Sequence, residues 1–203
     1  MKKTFKIFVF LFCLSASLYA QPKTYVEKIT AYQKDYVQAH EVVLKNDKKY
    51  VHFFPVNAAY KVRAGFEKLT DTAGFIMKTS GTKEKKYFRY GVIYFSIHDT
   101  ALKLTVYQSQ QLMSDSNSKY KNYLFLPFTD LTSGEESYGG GRYLDFEIND
   151  IKNNTVLIDF NKVYNPYCAY TTGYNCPIPP RENDLPVAIK AGEKEYAKPG
   201  GKH

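Results

Sequence analysis

The chain contains no tryptophan, only four histidines and only three cysteines in 203 residues. His40, His52, His98 and His203 lie far apart, and no two of them have the spacing of a zinc-ligand pair, so no metal site is expected. No Gly-x-Ser-x-Gly elbow and no Gly-Lys-Ser/Thr phosphate loop occurs, which removes the common hydrolase and nucleotide-binding signatures. No cofactor motif is present, and none is expected. No apolar run reaches the roughly 20 residues that a membrane-spanning helix needs. There are no internal repeats and no Pro/Ser-rich linker, so one domain is expected.

What is present begins with a secretory pattern. Met1, Lys2, Lys3 and Lys6 form a basic start, residues 7–14 an apolar stretch, and residues 15–20 a small-residue stretch ending at Ala20. Residues 1–20 are therefore expected to be a signal peptide, with a mature domain over 21–196, no membrane anchor after processing, and a disordered tail at 197–203. The expected location is outside the cytoplasm, periplasmic or secreted. Removing Lys2, Lys3 and Lys6 and no acid takes the formal charge from +8 to +5. The remaining lysines are scattered and no helix carries a continuous basic face, so nucleic acid is not an expected partner. Export leaves Cys168 and Cys176 as the mature pair in an oxidising compartment, where a disulfide is the default. Two free thiols or one catalytic cysteine are the alternatives.

Thr24 and Glu27 form a capping box ahead of Tyr25, Ile29, Tyr32, Tyr36 and Val43 at helical spacing, which predicts an amphipathic helix over residues 24–41. Its aromatic stripe reads as a lid over the core. The period then changes to two. Strands are expected at 49–55, 57–69, 75–78, 87–97, 101–108, 123–128, 142–148 and 155–161, with a hairpin around His98 and Asp99 and a polar loop at 113–121. This pattern predicts a mainly β fold: an antiparallel β-sandwich or barrel with an N-terminal amphipathic helix and a disulfide-stapled C-terminal loop.

Chemistry-bearing residues concentrate in the last third. Gly139, Gly140 and Gly141 precede a strand, not a helix, and read as a bulge or as backbone pressed against another element. On that strand Leu144, Phe146 and Ile148 face one way and Tyr143, Asp145 and Glu147 the other. Asp145 and Glu147 would lie about 6–7 Å apart, at the edge of the separation for an inverting carboxylate pair. Asp159 and Asn161 would join them if the next strand pairs with this one. Asp145, Glu147 and Asp159 are thus the candidate catalytic acids. Arg142, Tyr143, Asn161, Tyr164, Asn165, Glu182 and Asn183 are the candidate ligand-binding residues, on a surface stiffened by prolines and the Cys168–Cys176 staple. A hydrogen-bond network bracing the disulfide loop accounts for the same polar residues.

LPFTDLTSGEESYGGGRYLDFE, DFNKVYNPYCAY and CPIPPRENDLPVAIKAGEK together resemble the bacterial family DUF1684, a domain of unknown function. The resemblance is close over residues 126–194 and looser back through Phe88-Arg89-Tyr90-Gly91 to the N-terminal helix. Tyr167 stands where the family often has a second proline, a difference confined to local loop shape. The resemblance implies a shared C-terminal signature and no known activity. Two functions are expected from the residues: an exported binding or envelope-associated module that uses the surface of residues 139–183 toward a small molecule, glycan or envelope protein, or a hydrolase of carbohydrate or peptide that uses a carboxylate pair.

Overall fold

The computed structural model describes residues 24–115 and 119–199. Seven strands alternate through it: β1 (Lys61–Lys68), β2 (Phe75–Met77), β3 (Lys85–Ile97), β4 (Thr100–Ser109), β5 (Tyr123–Phe128), β6 (Arg142–Glu147) and β7 (Thr155–Asp159). They form a single antiparallel sheet in the order β6, β5, β4, β3, β1, β7, with β2 also paired to β3. The sheet curls into a half-barrel. The mainly β class therefore holds, but the two-sheet sandwich does not describe the fold, because no second sheet covers the first among the described residues. An irregular C-terminal segment fills that place. Phe160, Val163, Leu185, Ile189 and Ala191 pack in one cluster with Ile93, Leu104, Val106, Leu124, Leu126, Leu144 and Ile158 from the strands.

Alternation explains most of the sheet. In β5, Leu124 and Leu126 enter the core, and Phe125 between them joins a smaller cluster with Met77, Tyr87 and Tyr107 on the other face. The β3–β4 hairpin closes on His98 and Asp99, with φ of 47° and 62°, the mirror-image turn that suits the twist of two paired strands. Asn153 and Asn154 do the same ahead of β7. In β3 the phase changes at a bulge between Arg89 and Gly91. Beyond it Ile93 and Phe95 face the core, whereas before it Tyr87 packs with Tyr107 and Phe125 on the outer face. One extra residue re-aims every side chain that precedes it. The bulge is held by its neighbours: Asp71 accepts from the backbone N–H of Arg89 at 3.0 Å, and Leu69 N–H donates to Tyr90 O at 3.1 Å.

One expected strand is absent and two are shorter than expected. Residues 49–55 form no strand: Lys45–Tyr50 is a 3-10 turn in which Leu44 O accepts from both Asp47 and Lys48, and only Phe53 bridges, to Glu193. Residues 57–60 and 160–161 likewise turn instead of extending β1 and β7, as Ala58–Tyr60 and Phe160–Lys162. Of the polar loop, Gln110–Ser114 forms a short helix, α2. The helix α1 (Tyr25–Ala39) starts at the Thr24–Glu27 capping box and buries only Ile29 and Gln33. The expected signal peptide lies outside the described residues, as do residues 200–203 of the tail; Lys198 pairs with Asp47 at 2.9 Å. No helix among the described residues is long and apolar enough to cross a membrane. Gly141 has φ of +86°, and a Cβ there would stand 2.8 Å from Phe128 O and 2.5 Å from Pro179, so the glycine-rich stretch enters β6 as backbone pressed against its neighbours.

Candidate functional site

Most of the polar residues singled out in the last third hold the fold together. Arg142 is fully buried; it donates to Asp130 at 2.7 Å and to the carbonyls of Ala191, Ile189 and Glu193 at 2.7, 2.8 and 3.0 Å. It thereby fastens the C-terminal segment over the half-barrel. Burial lowers its pKa, and the neighbouring Asp130 and Glu193 oppose that only in part. Asn183 inserts its side chain where β4 and β5 diverge, donating to Thr105 O and Pro127 O and accepting from Thr105 N. It satisfies backbone groups that a strand would otherwise pair. Glu182 accepts from Arg89 at 3.0 Å and from the Tyr107 hydroxyl at 2.7 Å at the surface. Asn161, also buried, accepts from Asn57 N and donates to Asn57 O, Asp159 and the Tyr25 hydroxyl.

The proposed carboxylate group is dispersed. β6 and β7 lie at opposite ends of the strand order, so Asp159 does not sit beside Asp145 through strand pairing. Asp159 instead accepts from Tyr25 at 2.9 Å, tying α1 to the end of β7. Glu147 caps the turn Ile148–Asp150 in reciprocal bonds with Asp150. Only Asp145 keeps company with the aromatic surface: it lies opposite Phe125 in the β5–β6 register and accepts from the Tyr164 hydroxyl. Burial among those rings pushes its carboxyl up to about 6, the Tyr164 bond opposing the rise. Asp145 is also open to water on one side, and screening there limits the rise.

A cavity of about 500 Å³ opens on the outer face of the sheet. Its floor is Tyr87, Phe125 and Tyr143, the side chains that alternation and the β3 bulge turn away from the core. Its walls are Tyr36, Ala39, His40 and Glu41 from the end of α1, residues 164–167 as they leave the edge of β6, and the loop 174–177; Lys85 completes the lining. Rings meet nearly at right angles: Tyr143 and Tyr164 at 90° with centroids 5.9 Å apart, Phe125 and Tyr143 at 76° and 4.8 Å, Tyr167 and Tyr174 at 72° and 5.1 Å.

The walls are pinned. Tyr164 exchanges backbone hydrogen bonds with Tyr143 at 2.9 and 3.0 Å. The Cys168–Cys176 disulfide closes the loop. Residues 176–178 bond to 78–80, Ser80 N donating to Cys176 O and Ile178 N to Lys78 O, and the Tyr143 hydroxyl donates to Pro177 O. Behind the cavity Glu193 is fully buried, accepting from Asn165 N and from the Tyr170 hydroxyl. Burial pushes its carboxyl up to about 7, against the pull of those donors and of Arg142.

Two buried polar atoms of the lining residues have no hydrogen-bond partner: His40 Nε2 and Asn165 Oδ1. Val43 N–H donates to His40 Nδ1 at 3.1 Å, which puts the ring proton on Nε2. Burial, helped by Lys48, lowers the His40 pKa to about 4, so it is neutral at physiological pH. Burial likewise lowers Lys85 and raises Tyr87 to about 12, and Tyr36, Tyr143 and Tyr164 are raised further by the same cause. At neutral pH the cavity therefore presents the protonated hydroxyls of Tyr36, Tyr87, Tyr143 and Tyr164 and a neutral imidazole, with Glu41 in the lining and Asp145 behind Tyr164. Among the described residues no His, Cys, Asp and Glu side chains group closely enough to hold a metal ion.

Of the sequence candidates, Tyr143, Tyr164 and Asn165 line the cavity, as does Cys176 of the disulfide, and Asp145 stands behind Tyr164. Arg142, Asn161, Glu182 and Asn183 do not line it. Sequence reasoning missed Tyr36, His40, Glu41, Lys85, Tyr87 and Phe125. The helical stripe containing Tyr36 was the one available signal, and it reads equally as a lid.

No curated protein matches the chain. An uncharacterized protein of Haloarcula marismortui, solved in solution by NMR, is similar in fold, with a TM-score of 0.62 and 25% identity over 82% of this chain and 92% of that one. The family model described as "Protein of unknown function (DUF1684)" matches residues 46–194. That span covers most of the chain, including the whole sheet, the disulfide loop and the buried Arg142 and Glu193, and on that match the chain belongs to the DUF1684 family.

Proposed function

We propose that this protein is an exported binding module whose ligand site is the aromatic cavity between the end of α1 and the disulfide loop. The cavity carries the reading. Its volume falls within the range of about 300–1,000 Å³ usual for small-molecule sites, and its lining is mainly aromatic with a few polar groups. Its walls are held by backbone bonds, prolines and a disulfide, so little conformational freedom remains to be lost on binding. Export is supported by the basic and apolar start of the sequence and by the paired cysteines. The occupant class proposed is a small molecule, in preference to a glycan chain or an envelope protein, because the concavity is compact. The hydrolase reading has weaker support, since Asp145 has no second carboxylate beside it in the β5–β6 register and Asp159 and Glu147 serve as structural acceptors.

The test is a small-molecule screen on the processed, oxidised protein by ligand-detected NMR. Hits should be lost with Tyr174→Ala, whose ring is 42% exposed and whose removal should leave the melting temperature nearly unchanged. Hits that survive Tyr174→Ala with undiminished affinity would place the site elsewhere. Mass analysis of material exported from cells should give a chain starting at Gln21; an unprocessed chain retained in the cytoplasm would refute the export half of the proposal.

A further inference from the structure

We infer that the cavity takes an uncharged ring bearing several hydroxyl groups, of the size of a single sugar or a cyclic polyol, an inference that rests on the cavity being the binding site proposed above. The hydrogen-bond pattern of the lining selects this class. His40 Nδ1 accepts from Val43 N, which leaves Nε2–H a buried donor with no acceptor. Asn165 donates its amide N–H to Lys194 O, which leaves Oδ1 a buried acceptor with no donor. Both residues line the cavity, one at the end of α1 and the other where the chain leaves the edge of β6. A buried polar atom without a partner costs free energy until something serves it. A carboxylate serves His40 but has no proton for Asn165, and an ammonium ion serves Asn165 but has no lone pair for His40. Hydroxyl groups both accept and donate, so one kind of group answers both atoms.

Further open hydrogen-bonding capacity surrounds the same space. The Tyr87 hydroxyl, on the floor, keeps its proton at neutral pH and makes no hydrogen bond among the described residues. The hydroxyls of Tyr143 and Tyr164 donate to Pro177 O and to Asp145, and their oxygens remain able to accept. Asn175 accepts from Lys83 N at 2.8 Å and keeps its amide N–H groups for the loop wall. A ring with hydroxyls around its perimeter meets the floor and more than one wall together, where a ligand with a single polar end leaves most of these groups unmet. The two charged side chains of the lining, Glu41 and Lys85, have opposite signs and so call for no net charge on the ligand.

The test is protein-observed NMR of the processed, oxidised protein titrated with methyl β-D-glucopyranoside, methyl β-D-galactopyranoside, methyl α-D-mannopyranoside and myo-inositol. At least one of the four should bind with a Kd of about 1 mM or below and should shift the His40 Nε2–H resonance. Cyclohexanol, cyclohexylammonium and cyclohexanecarboxylate, rings of like size with one polar group each, should bind at least about tenfold more weakly. Tyr87→Phe removes only a hydroxyl that has no protein partner. It should weaken the bound sugar or polyol about threefold to tenfold and leave the melting temperature nearly unchanged. If none of the four binds while hits from the screen above are lost with Tyr174→Ala, the hydroxylated class is overturned and the binding site stands. A charged or single-hydroxyl ring that binds as tightly as the best of the four, or a His40 Nε2–H resonance unmoved at saturation, would also overturn the class. Binding of one of the four that survives both Tyr87→Phe and Tyr174→Ala undiminished would remove the cavity as the site, and this inference with it.

Discussion

The two faces of one sheet have been put to different uses. The inner face is dry and apolar, built from Ile93, Leu104, Leu124, Leu126 and Ile158, all with no exposed surface. Of its polar side chains, Asn183 is consumed by backbone groups and Arg142 by three backbone carbonyls and the Asp130 carboxylate; only Arg142 Nε lacks a partner there, and Arg142 does not line the cavity. The outer face carries Tyr87, Phe125, Tyr143 and Asp145 from the same strands, and there the lining is left with an open cavity and two polar atoms lacking partners. Adjacent residues such as Leu144 and Asp145 thus answer to different demands: the first to packing density, the second to what can approach from outside. Polar satisfaction marks structure, and its local failure beside a cavity marks the place to look for a ligand.

Substitutions sharpen that contrast, beginning inside. Arg142→Met leaves Asp130 buried without its cation and frees the Ile189 and Ala191 carbonyls. The expected loss is about 3–5 kcal/mol in denaturant unfolding. The double variant Arg142→Met with Asp130→Leu should lose less than the sum of the single changes, and simple additivity would show that the pair is not coupled. Cys168→Ser with Cys176→Ser frees a short loop, and the chain-entropy relation gives a loss of about 2–3 kcal/mol. This change should also weaken ligand binding, because Cys176 lines the cavity; unchanged affinity would detach the staple from the site.

The next prediction lies between the faces. Glu193 has its folded pKa raised to about 7 by burial, above its unfolded value. The folded state therefore holds that proton more tightly. The associated stability is fully present below the unfolded pKa and is lost as pH rises through about 7. Glu193→Gln should remove that part of the decline, seen as a flatter melting temperature between about pH 4.5 and pH 7 than in the wild type, where Asp145 adds a smaller decline of the same sign. An identical slope in the two proteins would reject the assignment. The smallest effect belongs to the outer rim: Tyr167→Ala should change stability by no more than about 0.5 kcal/mol. A loss as large as that of Arg142→Met would make the rim part of the scaffold and erase the distinction between the faces.

The strands were legible because apolar and polar residues alternate in them, and the β3–β4 hairpin because His98 and Asp99 separate two such runs. The disulfide followed from a lone cysteine pair. The strand expected at 49–55 was not legible as a turn, since its apolar residues pack into the cluster under α1 without ladder partners, apart from the bridge at Phe53. The half-barrel could not be told from a sandwich, because local alternation says nothing about whether a second sheet or an irregular segment fills the core. In the candidate site, Tyr143, Tyr164 and Asn165 were found where composition was dense. Tyr87 was not, because strict alternation groups it with Ile93 until the bulge at Tyr90 is known. Arg142 and Asn183 looked like ligand residues because a buried arginine serving carbonyls and a recognition arginine have the same sequence.

The tether of α1 to the far end of the chain has a consequence for the order of assembly. Tyr25 donates to Asp159 and Gln33 to Asn161 O, across separations of 134 and 128 residues. The helix is among the first segments to be made, yet its docking partners are among the last. It must wait, solvated and marginal on its own at 15 residues, until β7 is in place. Chains truncated after residue 150 should therefore show α1 amides exchanging freely with solvent even where the β3–β4 hairpin is protected. Because Tyr36, Ala39 and His40 stand at the end of that helix, the cavity cannot be complete until β7 has docked it.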